Sequence, residues 1–158
     1  METGDETVKK IRDLLDSRQV DYKYFEHEST PTSEDAARVR GTTPESGAKA
    51  IILKTKSGKN LMVVLPGNLK LDSKKIRNYV HEDISFENPD VILEKFGIII
   101  GGVPPYGNIL GLETLVDSQL GNNEEIAFNC GKRTASIIMK FSDYLRTSEA
   151  KIGDWSKV

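Results

Sequence analysis

Only one cysteine, Cys130, and two histidines, His27 and His81, occur in the 158 residues. A lone cysteine excludes an internal disulfide framework and a cysteine-based zinc cluster. The two histidines and the scattered carboxylates show no metal-ligand spacing, which argues against a zinc or di-metal hydrolase. Long apolar runs are also missing: stretches 61–66 and 98–105 fall far short of the roughly 18 residues a membrane-spanning helix needs. The first residues, Met-Glu-Thr-Gly-Asp-Glu, are acidic and carry no apolar segment. Neither a secretory signal nor an Arg-rich transit peptide is expected, and the cytoplasm is the default compartment. A strong charge of either sign is lacking, since the formal net charge is -2. That excludes a coat on DNA or long RNA built from many phosphate contacts and leaves room for a small nucleic-acid footprint. No Gly-rich phosphate loop of the common kinds is found, so no nucleotide or other cofactor is expected.

What is present fits one domain spanning residues 1–158, because 37% hydrophobic and 29% charged residues describe an ordinary globular chain. Val8, Ile11, Leu14 and Leu15 recur at helical spacing and predict an amphipathic helix over residues 7–18. Residues 22–26 alternate like a strand, and Thr30 to Asp35 opens a short helix that stops at Gly41. Two β-branched runs, 48–55 and 60–65, joined by Lys56-Ser57-Gly58-Lys59, read as a central hairpin. Asp72 caps a helix over 73–80; Asn88-Pro89 opens another through Phe96, with Gly97 beyond its end. Further strands are expected at 98–102, 112–117, 125–129 and 135–140, then a last helical turn from Ser142 to Arg146 and a loose polar tail. Strands interleaved with short helices give an α+β fold class, with a mixed, barrel-like β-sheet flanked by short helices.

The most unusual segment is Gly101-Gly102-Val103-Pro104-Pro105-Tyr106-Gly107. Its glycines permit close approach, and its prolines stiffen the turn and hold Val103 and Pro104 out of helical geometry. Backbone N–H groups fixed in such a loop suit the oxyanion of an acyl-transfer intermediate, with Gly102 and Val103 able to donate; a rigid strand connection has the same composition. Lys49 shares a strand face with Ile51 and Leu53, while Lys54 lies on the opposite face with Ala50 and Ile52. Either lysine could snorkel to solvent or project its ammonium into a pocket, and periodicity does not choose between them. Cys130 would need a neighbouring base to act as a nucleophile; a small buried hydrophobe is the commoner role. His27 and His81 lie in or near polar loops and read as surface residues.

Four segments in order resemble the YbaK family, freestanding relatives of the editing domain inserted in bacterial prolyl-tRNA synthetases. They are Ala48-Lys49-Ala50-Ile51-Ile52-Leu53, Leu61-Met62-Val63-Val64-Leu65-Pro66 with Leu71-Asp72-Ser73-Lys74-Lys75, Gly101 through Gly107, and Asn129-Cys130-Gly131-Lys132-Arg133. The resemblance spans residues 22–145. It implies that Lys49 is the strand lysine that matters and that Gly101 through Pro105 is the family's G-x-x-x-P loop. It further implies a metal-independent aminoacyl-tRNA deacylase, active in trans on the ester of a small mischarged amino acid (alanine, cysteine or serine), with tRNA for proline as the expected carrier. Such hydrolysis relies on loop backbone groups, a positioned water and the tRNA's terminal hydroxyl. On this reading Lys49, Gly101, Gly102, Val103 and Pro105 form the catalytic set. Lys54, Tyr106, Gly107, Gly131, Lys132 and Arg133 form the substrate and tRNA-binding set. The acceptor end of aminoacyl-tRNA is the expected partner, with prolyl-tRNA synthetase as a second, and neither membrane nor DNA. The family pattern has Gly in close relatives where this chain has Cys130, and a small polar residue in some subgroups where it has Pro104; both bear on the amino-acid pocket. A non-catalytic module that binds aminoacyl-tRNA or a synthetase is the alternative from another class.

Overall fold

The computed structural model describes residues 2–30 and 32–158. Helix α1 (Asp5–Ser17) buries Val8, Ile11 and Leu15 against the main core, as its spacing predicts. Strand β1 (Tyr22–Glu26) follows, then α2 (Ser33–Arg40). The Thr32 side chain caps α2 by accepting from the Asp35 N–H at 3.0 Å, and Gly41 ends it in the left-handed region at φ 71°. A 3-10 turn at Pro44–Ser46 leads into β2 (Ala48–Thr55) and β3 (Asn60–Pro66), the expected hairpin, with Lys49 opposite Leu65 and Ile52 opposite Met62. Next come β4 (Lys70–Leu71), α3 (Ser73–Val80), β5 (Ile84–Phe86) and α4 (Pro89–Phe96). Asp72 and Asn88 are the N-caps of α3 and α4, as expected. Strands β6 (Thr114–Asp117), β7 (Glu125–Asn129) and β8 (Ala135–Lys140) precede α5 (Phe141–Ser148), β9 (Lys151–Gly153) and β10 (Ser156–Lys157).

The architecture is mixed α+β, and its strands form separate sheets rather than a closed barrel. Five strands run in the order β5-β2-β3-β6-β9, three in the order β1-β8-β7, and β10 pairs with β4. The β2–β3 and β2–β5 pairs are antiparallel, and the β3–β6 and β6–β9 pairs are parallel. A parallel bridge between Gly47 and Ala127 ties the start of β2 to β7. The main core lies under α1, β7, β8 and α5, and a smaller cluster around Leu53, Val63, Leu65, Ile76 and Trp155 fills the other face of the hairpin. No described helix is long and apolar enough to cross a membrane.

Two expected elements differ. Residues 98–102 form no strand: Ile98 is buried, but the chain turns back at once, with the Gly102 N–H donating to the Ile99 carbonyl at 2.9 Å and Gly101 at φ 94°. A left-handed glycine is incompatible with continuous extended pairing. The tail is not loose, because β9 extends the large sheet, β10 pairs with β4, and Trp155 is buried with its backbone N–H donating to the Asp117 carboxylate at 2.8 Å.

Candidate active site

Where α2, the start of β2, the end of β7 and the segment after Ile100 meet, they enclose a cavity of about 200 Å³. Ala48, Lys49 and Ala50 form one wall; Thr32, Ser33, Ala36 and Arg40 of the α2 region form another; Gly101, Val103 and Asn129 form a third. The structure therefore brings the strand lysine and the glycine-proline segment to one concave space. The Lys49 ammonium donates to the Leu69 carbonyl at 2.9 Å. Partial burial pulls its pKa down, against a weaker opposing pull from Glu34.

The segment 101–107 divides in two. Gly101 and Val103 line the cavity, and among the described residues their N–H groups have no hydrogen-bond partner. The Gly102 N–H is already committed to Ile99, and a Cβ on Gly102 would press on the backbone of Gly131 and Lys132 at 3.0–3.1 Å. Gly102 thus serves close packing rather than donation into the cavity. Pro105, Tyr106 and Gly107 belong to the core. The Pro105 carbonyl accepts from Tyr144 Oη at 2.8 Å, and Tyr106 is fully buried with its hydroxyl 2.9 Å from Thr147 Oγ1. A Cβ on Gly107 would lie 2.1 Å from Thr114 Oγ1. Tyr106 and Gly107 hold the base of the loop and do not line the cavity.

A polar network fixes the loop from behind. Asn129 Nδ2 donates to the Gly101 carbonyl at 2.7 Å, while Asn129 Oδ1 accepts from Arg40 Nη2 at 2.8 Å. Arg40 Nε donates to Ser136 Oγ at 3.0 Å, and Ser136 Oγ lies 3.2 Å from Asn129 Oδ1 and 2.7 Å from His27 Nε2. Because Arg40 is a pure donor, the orientation of the Asn129 amide is unambiguous: oxygen to the guanidinium, nitrogen to the loop. His27 is therefore half-buried and tied into this network rather than a free surface residue. From the other side, Arg133 Nε donates to the Ile100 carbonyl at 2.7 Å. Arg40, Ser136 and His27 carried no signal in the sequence. Arg40 reads as a favourable cation in the last turn of a helix, and Ser136 as one polar residue in an apolar strand.

The remaining expected site residues lie elsewhere. Lys54 is exposed near the far end of β2, opposite Asn60 and Ser85 and near Glu87. Gly131 is buried at φ 129°, where a Cβ would meet Thr7 and the Val8 N–H at 3.0 Å. Lys132 is held by Glu2 at 2.6 Å and Asp5 at 2.9 Å, and these bonds push its pKa up. Its charge is spent on the start of α1, which leaves it poorly placed to meet a phosphate. Cys130 is fully buried, and burial raises its thiol to about 12, so it is protonated and inert at neutral pH.

The model of the aminoacyl-tRNA editing domain matches residues 27–147. The chain belongs to that family, as its YbaK-like segments imply. Among its relatives is the multifunctional Ser/Thr-tRNA deacylase ProXp-y of Escherichia coli, 27% identical over 157 residues, 96% of this chain and 94% of the relative. A proline–tRNA ligase of Fervidobacterium nodosum is 29% identical over 118 residues, 72% of this chain but 20% of the ligase. The fold matches the crystal structure of a candidate trans-editing enzyme for prolyl tRNA synthetase with a TM-score of 0.84, at 22% identity and covering 96% and 98% of the two chains.

Proposed function

We propose that this protein is an aminoacyl-tRNA deacylase acting in trans on the ester of a small mischarged amino acid of the alanine, cysteine or serine class, carried by tRNA for proline. The observation that carries the reading is the shared cavity of Lys49 with Gly101 and Val103. The need for such an enzyme is physical: a synthetase pocket shaped for a larger amino acid rejects a smaller one only weakly, and a second, smaller pocket corrects the error. Serine is common to this class and to the name of the E. coli relative.

Water attacks the ester carbonyl carbon, and the N–H groups of Gly101 and Val103 receive the developing oxyanion. The neighbouring ribose hydroxyl relays the proton that the water gives up to the departing ribose oxygen, so the ester C–O bond breaks to leave the free amino acid and a tRNA with its terminal hydroxyl restored. Lys49 anchors the terminal nucleotide, its ammonium oriented by the Leu69 carbonyl. The hydrogen bonds from Asn129 and Arg133 to the loop carbonyls preset the backbone, so little reorganisation is needed at the moment of reaction.

The test is release of amino acid from tRNA for proline charged with alanine, cysteine, serine or threonine, with the prolyl ester as control. At least one small ester should be cleaved and the prolyl ester spared. Lys49→Met should cut that rate by about 100-fold. A protein that binds these tRNAs and protects every ester would be a binding module instead.

A further inference from the structure

Arg40 is a partly buried cation in the cavity wall with no carboxylate within ion-pair distance among the described residues. Its burial lowers the guanidinium pKa to about 10, against a weaker opposing pull from Cys130, and no carboxylate offsets the loss of water. A charge removed from water is normally paired, because leaving it alone opposes folding. The two neutral acceptors, Ser136 Oγ and Asn129 Oδ1, occupy two of the five guanidinium N–H donors. Nη1 lies beside Gly47, where a Cβ would sit 3.7 Å from it, and both residues line the cavity. The side chain is thus gripped from behind with donors left toward the open space.

We infer that Arg40 forms a phosphate-binding subsite, taking the phosphodiester that leads into the terminal nucleotide of the tRNA. The assignment of that ligand rests on the deacylase reading and follows from the charges of the substrate. The amino group of an aminoacyl ester is cationic and is repelled by Arg40. The ester itself is neutral, so the phosphodiester is the anion at the acceptor end. A planar guanidinium meets two phosphate oxygens with parallel N–H bonds, which an ammonium does not. The division of labour is then clear: Arg40 holds the phosphate, Lys49 the nucleoside end, and the loop N–H groups the ester. Through Asn129 the same guanidinium braces the Gly101 carbonyl, so phosphate binding and loop geometry share one side chain.

The experiment is an NMR titration of the whole chain with adenosine 5′-monophosphate and, separately, with adenosine. The unmodified protein should bind the monophosphate about tenfold more tightly. Arg40→Gln should remove that preference, read as the ratio of the two affinities within each protein, so that a general change in the cavity cancels. If Arg40→Gln fails to fold, Arg40→Lys carries the test, and it should lose most of the preference because an ammonium cannot span Ser136, Asn129 and a phosphate together. No preference in the unmodified protein, or an undiminished preference in whichever variant folds, overturns the subsite. No ester takes part in the titration. A protein inert toward every misacylated tRNA but with an Arg40-dependent preference would sink the deacylase reading alone, and an active deacylase without the preference would sink this one alone.

Discussion

Lys49 and Lys132 are both partly buried lysines, yet their surroundings are opposite. Lys132 is closed in by Glu2 and Asp5, and Lys75 is likewise held by Asp154 at 2.8 Å and the Ser156 carbonyl at 3.1 Å. Lys49 has a backbone carbonyl, and Arg40 has a hydroxyl and an amide. The pKa values follow suit, raised for Lys132 and Lys75 by their bonds to carboxylates and lowered for Lys49 and Arg40 by burial. Folding on its own favours the first arrangement. The second keeps positive charge unneutralised at a concave surface, where a ligand can complete it.

The sharpest way to break this contrast is Lys49→Met. Beyond the loss of deacylation by about 100-fold, its Tm should rise. A lysine whose pKa is lower in the folded than in the unfolded state opposes folding at neutral pH, and that penalty is relieved only as pH climbs through the folded value. A lower Tm would show that the ammonium is structural. Lys132→Met should do the reverse, lowering Tm with little change in deacylation. Its raised pKa gives stability that is complete below the unfolded value and lost as pH rises through the folded one. A loss of deacylation comparable to that of the Lys49 variant would erase the distinction. Tyr106→Phe removes the bond to Thr147 and should cost about 1 kcal/mol in urea unfolding, again with deacylation retained. The smallest effect is expected from Cys130→Ala, which should keep full activity at neutral pH. The raised thiol pKa favours the folded state until pH exceeds the ordinary value of 9.0, and that contribution is lost toward about 12. Alkaline melting curves of the variant should therefore be flatter than those of the parent.

Much of the scaffold was legible because it follows local rules. The caps at Asp72 and Asn88, the stop at Gly41 and the paired β-branched runs of β2 and β3 each act within a few residues. The glycine-proline segment was conspicuous for the same reason, but which of its groups face the cavity is a tertiary matter. By composition Gly102 is as good a donor as Val103, but the fold commits its N–H to the Ile99 carbonyl. Periodicity could not choose between Lys49 and Lys54, since both lie on faces with apolar neighbours; only the arrival of α2 and Val103 beside the first of them makes a pocket. Arg40, Asn129, Ser136 and His27 come from four different parts of the chain, and no spacing rule joins them. The tail misled because β9 offers a single apolar residue, Ile152, and owes its place to backbone pairing and to Trp155 beyond it.

Strand β9 bears on how the chain matures. Until residues 151–153 emerge from the ribosome, β6 presents an unpaired edge, and Asp117 lacks the Trp155 amide that it accepts in the finished protein. The larger sheet is thus completed only after residues 151–153 have been made, and a nascent polypeptide stalled just short of them would be vulnerable to edge-to-edge association.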